Sequence, residues 1–141
     1  MPVSVEDKLA IHELMAKYIW AVDVDCTEKQ FFELFTSDAV MSSPVTGESV
    51  GETGLRNFRN AFLERRGKLQ LRHFITNHVV DGNRDVATLR AYFMILQTRI
   101  DLPVPERKTE IRFCGTYDCE LRKQSGTWKI HRRHVEIDTH S

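Results

Sequence analysis

Apolar positions recur at helical spacing through the first half of the chain. From Val5 to about Val24 they lie on one face of an amphipathic helix, at Leu9, Ile11, Leu14, Met15, Tyr18, Ile19 and Val22. The same spacing predicts a short second helix over Glu28 to Thr36 and a third over Gly54 to Arg66. Thr27 is a suitable N-cap for the second helix, and Gly67 suits the position just after the third.

Beyond the third helix the spacing becomes alternating, which is typical of strands. Runs rich in Val, Ile, Thr, Tyr and Phe predict four long strands, over Leu69 to Asp81, Val86 to Asp101, Lys108 to Lys123 and Thr127 to Asp138. Short turns at 81–84 and 124–126 join the first and last pairs as hairpins, and a longer loop with Pro103 and Pro105 joins the middle two.

Between the second and third helices, Ala39 to Ser43 predicts a brief strand, and Pro44, Gly47 and Gly51 indicate turns. Helices followed by long antiparallel strands predict an α+β fold, with three N-terminal helices packed on one face of a strongly curved, mostly antiparallel sheet. Because no repeat, low-complexity tract or linker divides the chain, we expect a single domain over residues 1–141.

The charge balance argues against polyanionic partners. Twenty Lys plus Arg residues are matched by twenty Asp plus Glu residues, so no net field attracts nucleic acid or an anionic membrane. No stretch approaches the roughly eighteen apolar residues of a membrane span, and the N-terminus lacks the basic start and apolar run of a signal peptide. We therefore expect a cytoplasmic protein that binds neither nucleic acid nor membrane.

Asp23 is an acidic residue at an apolar position. It continues the row of Ile11, Met15 and Ile19 at intervals of four, which places its carboxylate on the helix face that packs against the sheet. A buried carboxylate requires a partner, since burial of an unpaired charge is costly. The alternative is that the helix ends near Asp23 and the side chain lies at its rim; spacing alone weighs the two about equally.

His73 occupies the inward face of the first long strand. Alternation groups it with a mostly apolar set: Leu69, Leu71, Ile75, Asn77 and Val79. A lone histidine on such a face is more often a satisfied core residue than a base. A nearby carboxylate reverses this preference, because it fixes the imidazole tautomer and raises its basicity. If Asp23 also lies inward, the two residues form a buried Asp23/His73 pair beside an interior pocket.

The last strand is unusually basic. Alternation from Trp128 and Ile130 sends Arg132 and His134 inward, whereas a bulge would send Arg133 inward instead. An inward arginine can bind an anionic or carbonyl oxygen of a ligand, while most of the other charges fit the surface of an edge strand.

No metal or cofactor site is predicted. His73 and His78 have opposite strand parity, as do His131 and His134, so neither pair offers two ligands on one face. The chain also lacks a nucleophile elbow, a phosphate-binding glycine loop and a dinucleotide fingerprint. A cofactor-free pocket remains.

Four segments along nearly the whole chain carry a family resemblance. They are Ala21-Val22-Asp23, Leu34-Phe35-Thr36-Ser37-Asp38-Ala39-Val40, Arg72-His73-Phe74-Ile75-Thr76-Asn77 and Gly126-Thr127-Trp128-Lys129-Ile130. In these segments the chain resembles the SnoaL-like branch of the NTF2-like superfamily, which includes scytalone dehydratase and hexachlorocyclohexane dehydrochlorinase. The resemblance implies a cone-shaped α+β barrel around a pocket.

The resemblance also implies roles for individual residues. His73 would be the base that removes a proton from substrate carbon, Asp23 would orient it, and Arg133 would assist the leaving group. The second histidine that scytalone dehydratase uses has no counterpart in residues 88–92. The side chains expected to contact substrate and shape the pocket are Tyr18, Trp20, Phe58, Tyr92 and Phe113.

Two function classes follow. The first is a cofactor-independent lyase, of the dehydratase or dehydrohalogenase type, or an isomerase, acting on a small apolar or cyclic molecule with His73 as general base. The alternative is a non-catalytic small subunit or ligand-binding module, resembling the small subunit of ring-hydroxylating dioxygenases. In either class a curved, open sheet exposes a broad outer face, and we expect a homodimer or homotrimer that forms through this face.

Overall fold

A computed structural model describes residues 2–140, with the backbone alone for residues 139 and 140. Three α-helices, one 3₁₀ turn and six strands occur in this part of the chain: α1 Val5–Asp23, α2 Glu28–Glu33, β1 Phe35–Ser43, β2 Gly47–Val50, α3 Gly51–Arg65, β3 Leu69–Gly82, β4 Val86–Arg99, the 3₁₀ turn Val104–Glu106, β5 Thr109–Gln124 and β6 Thr127–His140.

The six strands form one sheet in the order β2-β1-β6-β5-β4-β3. All neighbours are antiparallel except β1 and β6, which are parallel. Helix α1 packs against β3 and β6, and α3 packs against β1 and β2. The predicted α+β class, with helices on a curved, mostly antiparallel sheet, is confirmed. None of the helices in the described residues is long and apolar enough to cross a bilayer.

Segment boundaries differ from the prediction around the short helix. α2 ends at Glu33 rather than Thr36, because the next residues join the sheet: Phe35 pairs with Ile130, whose amide donates to the Leu34 carbonyl. The predicted turn region forms β2, and α3 begins at Gly51 instead of Gly54. Thr27 caps α2 as predicted, with Gln30 completing a capping box.

The core lies between α1 and the concave face of the sheet. Its fully buried side chains come from one face of the helix and the inward positions of several strands, including Ile11, Met15, Tyr18, Leu89, Tyr117, Leu121 and Ile130. Burial of each large apolar side chain contributes about 1.5–3 kcal/mol. This layer fixes the end of α1 against β3, where the acidic residue of the helix meets the histidine of the strand.

A bulge divides β3 into two halves. The pairing with β4 shifts between Thr76 and Val79, and Asn77 takes the left-handed conformation with φ +59°. Before the bulge the inward face is as predicted for Leu71 and His73. After it the parity reverses: Val80 is buried and Val79 is 56% exposed. The prediction that Asn77 and Val79 face inward is therefore wrong.

A second bulge, at His131 in β6, decides which arginine enters the core. Ile130 pairs with Leu121 and Arg132 with Glu120, so His131 is an additional residue without a partner in β5. Arg133 is consequently buried and Arg132 is exposed. The prediction from simple alternation, with Arg132 and His134 inward, is wrong, and the bulge alternative is right.

The expected surroundings of β6 also need correction. This strand lies between β1 and β5, so it is central rather than an edge strand. Its outward histidine, His134, is held by the Ser42 hydroxyl on Nδ1 at 2.7 Å and by the Glu136 carboxylate on Nε2 at 2.5 Å.

Candidate active site

Asp23 is the last residue of α1, and its side chain points into the protein. Val24 caps the helix with its amide bonded to the Trp20 carbonyl, and the Gln70 side-chain amide donates to the Asp23 carbonyl at 2.8 Å. The two sequence alternatives are thus combined: the helix does end at Asp23, yet the carboxylate is buried rather than at the rim.

His73 binds both oxygens of this carboxylate. The distance from Nδ1 to Asp23 Oδ1 is 2.5 Å, and the backbone amide of His73 donates to Oδ2 at 2.7 Å. The side chains are 3% and 4% exposed, so water does not compete for the contact. Because a carboxylate accepts, Nδ1 carries a proton. Nε2 bonds to no described residue, and it is the atom that carries the lone pair in the neutral form of this ring.

A cavity of about 120 Å³ lies beside this pair. Its wall is mainly aromatic and aliphatic, with His73 and Arg133 among the polar groups; the larger apolar contributors are Phe58, Phe62, Phe93, Phe113, Tyr117 and Ile137. The Phe62 ring is 6.1 Å from the His73 ring, and the Phe93 and Tyr117 rings stack at 4.8 Å. The arrangement surrounds an imidazole with apolar surface on the cavity side.

Arg133 is a further polar group of the cavity wall and is only 5% exposed. Its Nη1 donates to the Tyr18 hydroxyl at 2.6 Å, and its guanidinium lies 5.3–5.8 Å from the ring centres of Tyr18, Phe58 and Tyr117. Its Nε has no hydrogen bond, and the described residues contain no carboxylate paired with it. Burial raises the pKa of Tyr18 to about 12, so its phenol is neutral and leaves the arginine charge uncompensated.

Two of the predicted pocket residues lie elsewhere. Trp20 is 64% exposed in a groove on the outer side of α1, beside Lys17 and Gln30. Tyr92 is 58% exposed on the outer face of β4, because Ala91 and Phe93 take the inward positions on either side of it. The prediction that these two residues line the cavity is wrong, and the regular alternation of β4 contained the signal for Tyr92.

The remaining predictions fall at or behind the cavity. Phe58 and Phe113 line it, whereas Tyr18 lies behind Arg133 as its hydrogen-bond acceptor. Sequence reasoning missed Arg65 and Arg112, which also line it. No periodicity identifies Arg112, since it is the extra residue between Ile111 and Phe113 where the β4–β5 pairing shifts. Among the described residues no group of three or more His, Cys, Asp or Glu side chains is placed to hold a metal ion.

Comparison with known proteins agrees with this architecture. A model of the SnoaL-like domain family matches residues 3–134, whereas a search of curated proteins finds no match. A proposed aromatic ring hydroxylase from Novosphingobium aromaticivorans is 29% identical, with 96% of this chain and 92% of that chain covered and a TM-score of 0.77.

Two further solved structures share the fold at lower identity. A protein from Catenulispora acidiphila, solved in complex with S-DNPA, is 20% identical over 96% of each chain, with a TM-score of 0.79. A proposed scytalone dehydratase from Novosphingobium aromaticivorans is 19% identical over 97% of this chain and 87% of that chain, with a TM-score of 0.79. The predicted family resemblance is confirmed.

Proposed function

Because the chain belongs to the SnoaL-like domain family, we propose that it is a cofactor-independent lyase, of the dehydratase or dehydrohalogenase type, or an isomerase. Its substrate is a small, largely apolar cyclic molecule that enters the cavity beside His73. The observation that carries the proposal is the buried Asp23/His73 pair, in which the carboxylate occupies Nδ1 and leaves Nε2 to act as a base.

In the proposed elimination, Nε2 of His73 removes a proton from a substrate carbon. The electrons of the broken C–H bond form the new double bond, and the leaving group departs with its bonding pair. Asp23 stabilises the imidazolium that forms. It holds the ring at Nδ1 and the His73 backbone at its amide, so that no reorientation is needed during the step.

Arg133 is suited to the charge that develops on the leaving atom or on a carbonyl oxygen. A buried cation without a counter-ion interacts most favourably when negative charge appears beside it, and that charge grows as the C–H bond breaks. In dehydration, the hydroxide that leaves takes the proton from His73 as water. In isomerisation, the imidazolium returns the proton to another carbon of the same molecule.

The cavity volume supports a substrate of about one ring. A dry cavity of about 150 Å³ is known to hold benzene, and this one has about 120 Å³. A structural neighbour was solved with a small molecule bound, and another is a proposed scytalone dehydratase; both likenesses are in accord with small-molecule chemistry in this chain.

The test is a panel of three cyclic carbon acids in D₂O, each with and without a carboxylate on the ring: a β-hydroxyketone, a polychlorinated cyclohexane and a β,γ-unsaturated ketone. Proton loss, elimination and double-bond migration are followed by NMR, with free imidazole as the reference rate. We expect His73→Gln to lower the best wild-type rate by about 10²- to 10⁴-fold. Acceleration that persists in His73→Gln, or no acceleration of any of the three, contradicts the proposal. His12→Gln is the matched control, because His12 is an exposed histidine on α1.

The second candidate is a non-catalytic small subunit or ligand-binding module. The observation that links this chain to ring hydroxylation is the likeness at 29% identity to a proposed aromatic ring hydroxylase, a name that does not mention a subunit. A support subunit has no need of a buried, carboxylate-bound histidine with a free ring nitrogen, and this makes the lyase the better proposal. Stable co-purification with a large iron-containing subunit, without His73-dependent turnover, would favour the module.

We also propose that residues 1–141 form one domain, that the protein is cytoplasmic, and that it self-associates as a homodimer or homotrimer. The surface for association is the outer face of the sheet, where Phe74, Tyr92 and Ile111 are large exposed apolar residues. Analytical ultracentrifugation tests the last point, since a monomer mass at micromolar concentration contradicts it.

A further inference from the structure

The charges that line the cavity are unbalanced. Arg65, Arg112 and Arg133 all contribute to its wall, and no Asp or Glu does so. Asp23 contacts His73 of this wall, and both of its carboxylate oxygens are bound by that histidine. The wall therefore carries three guanidinium groups without a free carboxylate among its described residues.

Arg65 and Arg112 differ from the arginines of the chain that are ion-paired. Arg56, Arg66 and Arg99 each form an ion pair with an acidic side chain. Neither Arg65 nor Arg112 is in an ion pair within the described residues. Each lies over a phenylalanine of the cavity wall, Arg65 at 5.7 Å from the Phe62 centre and Arg112 at 5.2 Å from the Phe113 centre, a kind of contact that the ion-paired Arg56 also makes with Phe32.

The two half-buried guanidiniums also act on each other. Burial, and then the positive charge of Arg65, lowers the pKa of Arg112. The polar partner that Arg112 does have, the Gln97 side-chain oxygen at 2.5 Å, is neutral and does not offset this repulsion. An anion bound by both groups would offset it, and a carboxylate matches the fork of an arginine with two parallel hydrogen bonds.

We infer that the ligand of this cavity is a small ring that carries a carboxylate, which Arg65 and Arg112 bind at the cavity mouth. The ring lies against Phe58 and Phe62, and the end opposite the carboxylate reaches His73 and Arg133. The two half-buried arginines thus recognise the substrate, whereas the fully buried Arg133 is left for charge that develops during reaction. Only the orientation of the ring toward His73 rests on the proposed function.

The experiment compares two ring compounds of the same size, benzoate and benzamide, by isothermal titration calorimetry at low salt. We expect benzoate to bind at least about tenfold more tightly, since a hydrogen bond to a charged group is stronger than one between neutral groups. Arg65→Gln with Arg112→Gln should abolish this preference, and added NaCl should reduce it. Arg56→Gln is the matched control, because that arginine lies outside the cavity and is paired with Glu28 and Glu52.

Equal affinity for benzoate and benzamide overturns the inference, as does a preference that survives in the double variant. Circular dichroism of the double variant establishes that its fold is intact; if it is not, each single variant is titrated in the same way. The two proposals fail separately. Carboxylate binding without His73-dependent turnover contradicts the lyase alone, and His73-dependent turnover of neutral rings without carboxylate preference contradicts this inference alone.

Discussion

Asp23 and His73 are joined by two hydrogen bonds that run in the same direction, from histidine to carboxylate. One donor is the ring Nδ1–H and the other is the backbone N–H of the same residue, and each is bound to a different oxygen. Only an acceptor with two oxygens satisfies both donors at once. The helix end and the strand are thereby connected at the point where the cavity begins.

Replacement of Asp23 by Asn should therefore change the tautomer of His73. The amide offers one oxygen and one NH₂ group, so one of the two donors must face another donor. We expect the lone pair to move to Nδ1 in a large fraction of molecules, and the rate of proton abstraction to fall by about 10²-fold or more. Nitrogen-15 NMR of the imidazole measures the tautomer. An unchanged spectrum would contradict the prediction, and Asp25→Asn, at a mainly exposed acid, is the control.

Tyr18→Phe removes the hydroxyl that accepts from Arg133. Since Arg133 Nε is already without a partner, the variant leaves a buried cation with no hydrogen bond to a described residue. We expect the free energy of unfolding to fall by about 1–3 kcal/mol in urea denaturation. Tyr92→Phe, at an exposed position, should change it by less than about 0.5 kcal/mol. Equal effects of the two substitutions would show that the buried contact adds nothing.

Gly115→Ala tests the close approach of β5 and β6. A Cβ at this position would lie 1.9 Å from the Glu136 carbonyl oxygen and 2.9 Å from a ring carbon of Phe93, so backbone must move. We expect a loss of about 3 kcal/mol. At Gly126 a Cβ meets no atom within 4 Å and only the φ of +79° is unfavourable, so Gly126→Ala should cost about 1–2 kcal/mol. A smaller loss at Gly115 than at Gly126 would be inconsistent with the packing described.

The His12/His78 contact predicts an acid-sensitive stability. The ring centres are 4.5 Å apart. The pKa of His78 is lowered below 6.5, mainly because the ring is partly buried and secondly because the charge of His12 repels a proton on it. The unfolded chain therefore takes up a proton before the folded one does as pH falls below about 6.5. The free energy of unfolding should decline from pH 7 to pH 5, and His78→Gln should reduce that decline. Urea midpoints at pH 5, 6 and 7 measure it, and identical slopes in both proteins would refute the assignment to His78.

The inward positions of Asp23 and His73 agree with periodicity because each residue lies before any irregularity in its own element, whereas their pairing was implied by the family resemblance. Asp23 ends an unbroken helix, and His73 precedes the β3 bulge, so spacing of four and of two placed both inward. Arg133 and Val79 follow bulges, and a bulge is defined by the register with the partner strand. Nothing in the residues of β6 alone distinguishes Arg132 from Arg133, and alternation chose the wrong one.

Trp20 shows a second reason why the sequence did not predict every pocket residue correctly. It follows Tyr18 and Ile19 in α1, and it was expected to be one of the aromatic side chains that shape the pocket. The helix face, however, is set by angle rather than by residue type, and the position of Trp20 is turned toward solvent. Arg65 and Arg112 were missed because arginine is common on protein surfaces, so its presence in a sequence does not indicate a site. Only the folded structure shows that these two residues line the same cavity.

The parallel pairing of β1 with β6 has a consequence for biosynthesis. The contact between Thr36 and His131 joins residues 95 positions apart, with four other elements of the sheet and a helix made in between. A ribosome adds about 5–20 residues per second, so β1 waits roughly 5–20 s for its central neighbour. Until then one side of β1 is unpaired, and Arg133 has not yet been synthesised. Asp23 and His73 are thus synthesised before the β6 residues of the cavity wall, and no partly made chain has the whole cavity.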